Sequence, residues 1–157
     1  MSNRLKLIIA IAVPQIVGIT SGLASAQGTR QWYPTLVKPW FNPPSWIFGP
    51  VWTVLYLMMG IAAYLVWRKG LEAPGVKKAL WLFLIQLGLN GIWSLLFFGM
   101  RAPGIAFAEI VILWWAIVAT LIAFFRLSKI AGALLVPYWA WVSFAAVLNF
   151  YLWRLNS

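Results

Sequence analysis

The sequence predicts an all-α integral membrane protein, a bundle of five transmembrane helices in one domain covering residues 1–157. Three observations carry this. Hydrophobic residues make up 64% of the 157 and charged residues 9%, against roughly a quarter charged in soluble domains. The apolar residues gather in five runs, each near the ~20 residues a helix needs to cross a ~30 Å hydrocarbon core. The runs are continuous and do not alternate apolar with polar, which favours helices over barrel strands. The connections are too short to hold a separate soluble module.

The first run, Leu5 to Ala26, begins like a signal peptide. Arg4 and Lys6 precede it, and Ala24, Ser25 and Ala26 form a small-x-small cleavage pattern. Its apolar length exceeds a usual signal core, so it is expected to stay as a span. Gly18, Gly22 and Ala26 recur every four residues, a small ridge that lets membrane helices approach closely, either within one chain or in a homodimer. The second run, Trp46 to Trp67, ends before Gly70, Pro74 and Gly75; the third, Ala79 to Met100, ends before Pro103 and Gly104. The fourth, Gly104 to Phe125, carries a second small ridge at Gly104 and Ala108, with the same two readings. Ser128 and Lys129 separate it from the fifth, Ile130 to Trp153. Short loops predict that consecutive helices are antiparallel and adjacent.

The net charge of +10 sits in the loops, where it acts as a topology signal and not as a nucleic-acid footprint. Arg4, Lys6, Arg68, Lys69, Lys77, Lys78, Arg126 and Lys129 fall on one side; Arg30, Lys38, Arg101 and Arg154 fall on the other. The first side is expected to be cytoplasmic or its equivalent. Histidine and cysteine are absent, so thiolate catalysis, a Ser-His-Asp triad and His or thiolate metal sites are excluded. No catalytic residue and no metal ligand is assigned. The only carboxylic side chains are Glu72, expected to be a solvated loop charge, and Glu109, about one turn inside the fourth span. An intramembrane carboxyl is a functional candidate. Interaction with its helix N-terminus or with Arg101 is the structural alternative.

The stretch Trp32 to Tyr56 holds four of the twelve tryptophans and five of the nine prolines. Repeated proline fixes φ and removes backbone donors, so this connector is expected to be a stiff, non-helical plate presenting aromatic rings at the mouth of the bundle. On the third span Gln86, Asn90, Trp93, Ser94 and Phe97 share one helical face. Asn90 there can make an interhelical hydrogen bond or bond a ligand, and spacing alone leaves both open. On the fifth span Pro137, Trp141, Ala145 and Leu148 share a face that could wall a slot. Trp139 and Trp153 read as lipid-facing or interfacial rings. Leu148, Tyr151 and Arg154 fit the loose sterol-contact pattern, which an ordinary helix terminus also satisfies.

Taken together, WYPTLVKPWFNPP with the following WTVLY, then QLGLNGIWSLLFFG, LLVPYWAW and VLNFYLWRLN, resemble the TspO/MBR family of tryptophan-rich sensory and translocator proteins over nearly the whole chain. The resemblance implies a multi-pass membrane protein, often a homodimer, of the bacterial cell envelope or the mitochondrial outer membrane. It implies porphyrin (protoporphyrin IX or haem) as ligand, with no obligatory cofactor, and in animal members cholesterol and benzodiazepine-type ligands. Oxidative, light-dependent porphyrin degradation, proposed for some bacterial relatives, is the enzymatic alternative. By motif position the ligand cavity would be lined by Tyr33, Pro43, Trp52, Tyr56, Asn90, Trp93, Ser94, Phe97, Trp141 and Ala145. This agreement with the faces above tips Asn90 toward the ligand. A tetrapyrrole would be held by its face, not its metal, since no histidine is present.

Overall fold

The computed structural model describes all 157 residues and contains only helices and connections. Five helices are long and apolar enough to cross a membrane. They are α1 (Asn3–Gln27), α2 (Phe48–Trp67), α3 (Val76–Ser94), α4 (Pro103–Leu127) and α5 (Lys129–Leu155). Local chemistry sets their ends. Ser2 caps α1 through the Leu5 amide at 3.2 Å, and Pro103 starts α4 where a missing N–H costs nothing. Ser128, alone in an extended conformation, breaks α4 from α5 and caps the latter through the Ala131 amide at 3.2 Å.

Three spans are prolonged by wider or tighter turns, α2 by a 3-10 turn at its start, Ser45–Ile47. A π turn, Gly28–Trp32, and a 3-10 turn, Tyr33–Thr35, extend α1, and a π turn, Leu95–Gly99, extends α3. The proline and tryptophan connector is therefore non-helical only over residues 36–44, and the expected plate is shorter than its sequence suggests. Pro34 sits at the start of the 3-10 turn and Pro50 in the first turn of α2, where the lost donor is tolerated.

Packing corrects the expectation that all consecutive helices are adjacent. α2 and α3 touch only lightly; α1 packs against both, α2 packs on α5, α5 on α4, and α4 on α3. The bundle runs α1, α2, α5, α4, α3 around its perimeter. The eight-residue connection from Arg68 to Gly75, with Gly70 and Gly75 at φ +97° and +83°, is long enough to allow this.

The half of the bundle that holds the N-terminus is tightly packed by Met59, Ala62, Val66, Val76, Ala79 and Phe124. There α1 and α2 approach so closely that a Cβ on Gly60 would lie 2.7 Å from the Ala10 carbonyl oxygen. Each small ridge is occupied within the chain at one position, while Gly22 and Ala108 stay exposed. Gly18 faces the Tyr56 ring, and a Cβ on Gly104 would lie 2.8 Å from the Trp153 indole nitrogen. Trp153 also stacks on Phe107 at 6.0 Å. Trp139, read as lipid-facing, is half-buried against Trp114 with ring centroids 5.8 Å apart.

Candidate functional site

The other half of the bundle encloses a cavity of about 700 Å³. Its walls come from α1, α2, α3, α5 and the connector, and none comes from α4. Aromatic rings set its shape. Trp52 stacks on Tyr56 at 5.5 Å, Trp93 stacks on Phe97 at 5.4 Å, and Trp141 packs against Phe48 at 6.0 Å. The one-face spacing on α3 and the i, i+4 steps on α5 aim these rings inward.

The polar groups of the wall bond mainly to one another. Tyr56 Oη donates to Asn90 Oδ1, Asn90 Nδ2 donates to Tyr138 Oη at 3.1 Å, and Tyr138 Oη donates to Gln86 Oε1 at 2.8 Å. This buried chain ties α2, α3 and α5 together. Trp93 Nε1 donates to Asn149 Oδ1 at 2.9 Å, and Asn149 Nδ2 donates to the Pro103 carbonyl at 2.8 Å. Ser25 of α1 donates to the Ser94 carbonyl at 3.1 Å. Trp141 Nε1, by contrast, is buried without a partner.

Two cations reach the cavity, Arg30 on the first π turn and Lys38 on the connector. Lys38 Nζ donates to the carbonyls of Leu36 (3.0 Å) and Pro34 (3.3 Å), and stands 5.1 Å from the centre of the Tyr33 ring. The connector lies over this end as a fastened strap. Tyr33 Oη donates to Asn42 Oδ1 at 2.9 Å, and Phe41 packs on Tyr151 at 5.4 Å. Near the chain end Asn156 grips Val37 twice, accepting from its amide at 2.8 Å and donating to its carbonyl at 2.9 Å.

The structure brings Tyr33, Trp52, Tyr56, Asn90, Trp93, Ser94, Phe97, Trp141 and Ala145 to one cavity. Pro43 is not on its wall, because the strap turns between Pro39 and Asn42 and leaves Pro43 outside the lining. Asn90 does line the cavity, but both ends of its amide are engaged by tyrosines. The sterol pattern does not form one surface. Leu148 faces the cavity, while Tyr151 and Arg154 are exposed on the outside, since steps of three residues rotate progressively around the helix. Pro137 is likewise exposed. Glu109 and Arg101 form no ion pair: both carboxyl oxygens are buried without a hydrogen-bond partner, and the chain's one salt bridge joins Lys77 to Glu72 at 3.2 Å on the surface.

Sequence reasoning missed Tyr138, Asn149 and the α1 wall of Gly18, Ser21, Gly22 and Ser25. Asn149 had a signal, lying one turn beyond Trp141 and Ala145 on the same face. Tyr138 had one too, standing at i, i+3 and i+7 with Trp141 and Ala145, although the same spacing also fits a ring packed in the core.

The chain is similar to known proteins over nearly its whole length. The profile of the TspO/MBR family matches residues 10–154. The chain is 46% identical over 152 residues to the tryptophan-rich protein TspO of Chlorobaculum tepidum, covering 97% of this chain and 96% of that one. It is 40% identical over 155 residues to the tryptophan-rich protein TspO of Archaeoglobus fulgidus, covering 99% of each. It is also 40% identical over 140 residues to the human translocator protein, covering 88% of this chain and 82% of the relative. With five membrane-length helices, the chain is a multi-pass integral membrane protein.

Proposed function

Because the chain belongs to the TspO/MBR family, we propose that it is a membrane binding protein, a sensor, carrier or regulator, for flat hydrophobic ring molecules. Porphyrins such as protoporphyrin IX or haem are the first candidates, with sterols and benzodiazepine-type ligands as related occupants. The observation that carries the reading is the 700 Å³ cavity walled by Trp52, Tyr56, Trp93, Phe97 and Trp141. Its volume falls in the range of about 300–1,000 Å³ usual for small-molecule sites. Aromatic faces favour stacked rings, at about 0.5–1.5 kcal/mol per pair beyond area burial. Most wall polar groups are already bonded, so affinity rests on ring contact. Arg30 and Lys38 at the cavity edge suit an acidic substituent such as a propionate.

Titrating protoporphyrin IX into the protein while following tryptophan fluorescence tests the proposal. Saturable quenching is expected; quenching that grows linearly without saturation would discard it. The alternative of porphyrin degradation draws on the Trp52–Tyr56 stack, which places two oxidisable rings together in the cavity. With dioxygen as oxidant and under illumination, it requires loss of the porphyrin spectrum and a new product, both abolished in Trp52→Phe. Homodimerisation belongs to the same proposal. Since Gly18 and Gly104 are occupied within the protomer, the exposed small residues Gly88 and Ala108 are the positions through which a second copy would approach.

A further inference from the structure

We infer that the cavity is loaded sideways from the bilayer, through a window between α1 and α2, and not from water past the strap. The inference rests on reading the cavity as a ligand site. The far walls are closed: Asn90, Phe97, Asn149 and Leu152 are no more than 3% exposed. The α1 and α2 walls are open. Ile19 and Gly22 on α1, with Gly49 and Thr53 on α2, all line the cavity, and all are exposed on helices of membrane-spanning length.

The helix pair explains the opening. α1 and α2 are in close contact at Gly60 and Ala10, and Gly18 still faces the Tyr56 ring. Beyond that level the space beside them is open: a Cβ placed on Gly22 or on Gly49 would meet nothing within 4 Å. At the lower edge Gln15 Nε2 donates across the gap to the Thr53 carbonyl at 3.1 Å, forming a sill. The water side is instead fastened by the double grip of Asn156 on Val37 and by the Tyr33–Asn42 bond. An apolar ring compound concentrates in hydrocarbon, so the window faces the richer supply.

The test uses the full chain in phosphatidylcholine vesicles, with protoporphyrin IX as probe and stopped-flow fluorescence as readout. Gly22→Phe and Gly49→Phe place a ring in empty space at the window, and circular dichroism checks that each variant folds. Both are expected to slow association by about tenfold and dissociation in parallel, so that affinity changes far less than either rate, as for a narrowed passage. Asn156→Ala, which releases the strap, is expected to leave both rates within about twofold. Faster exchange in Asn156→Ala with unchanged rates in the glycine variants would overturn the inference in favour of the water side. Weaker affinity with faster dissociation in the glycine variants would also overturn it, since the new rings would then press on the bound porphyrin instead of narrowing its path. Failure of the underlying reading is separable, because the unsubstituted protein would then show no saturable quenching.

Discussion

The two halves of the bundle, one packed solid and one hollow, are built from different residues. In the half holding the N-terminus, small and aliphatic side chains such as Ala62, Val66, Val76 and Ala79 are fully buried, and helix backbones come nearly into contact at Gly60. In the strap half, bulky rings meet at centroid distances of 5.4 to 6.0 Å around an open space. Small residues let helices close on one another, and van der Waals packing then holds a membrane bundle together. Flat rings anchored at their edges cannot interdigitate in that way. The solid half therefore holds the helices together, and the hollow half keeps a cavity open.

The largest expected effect comes from breaking the solid half. Gly60→Leu drives a side chain into the α1 backbone, and it is expected to lower stability by about 3 kcal/mol or more, at the upper end for overpacking. Thermal unfolding in detergent measures this; wild-type stability in Gly60→Leu would mean that the α1–α2 contact is loose. Next come the rings of the hollow half. Trp52→Ala and Trp141→Ala are each expected to weaken porphyrin binding by about 1–3 kcal/mol, the range for a buried aromatic anchor. Trp153→Ala, whose ring packs outside the cavity, is expected to lose stability and keep binding. Equal binding losses at Trp153 and Trp52 in folded protein would erase the distinction.

Asn90 stands where the halves join. Asn90→Ala removes the central link between Tyr56 and Tyr138, and it is expected to cost about 1–2 kcal/mol of stability, with a smaller loss of binding. A binding loss larger than that of Trp52→Ala would make the amide a direct ligand contact. Smaller still, Glu109→Gln is expected to keep or raise stability by about 1 kcal/mol, because a buried carboxyl without a partner favours a neutral replacement. A clear drop in melting temperature would reveal a partner for Glu109. The smallest effect is at Arg101, which holds φ at +55° in the turn before α4. Arg101→Gly is expected to gain under about 1 kcal/mol by relieving the left-handed strain, readable as a small rise in melting temperature.

How far the sequence reached differs from residue to residue, and the differences have a common cause. The five spans, the segregation of basic residues and the inward faces of α3 and α5 are properties of one helix at a time. Hydrocarbon thickness and the 3.6-residue period are enough to read them. Trp93 and Trp141 lie on those inward faces, whereas Trp52 is assigned to the cavity only through the family resemblance. Whether Asn90 is free or engaged depends on what lies across from it, and two tyrosines from other helices settle that. The same holds for Glu109, whose possible partners are brought near or kept away by neighbouring helices. The path around the bundle was equally hidden, because an eight-residue loop permits α3 to lie beside α2 or beyond α1. Gly22 shows the limit most plainly: its four-residue spacing from Gly18 reads as a packing ridge, yet only Gly18 meets a neighbouring ring. What stands opposite each position depends on the angle between the two helices, which is set by all the side chains in their contact and which no single segment encodes.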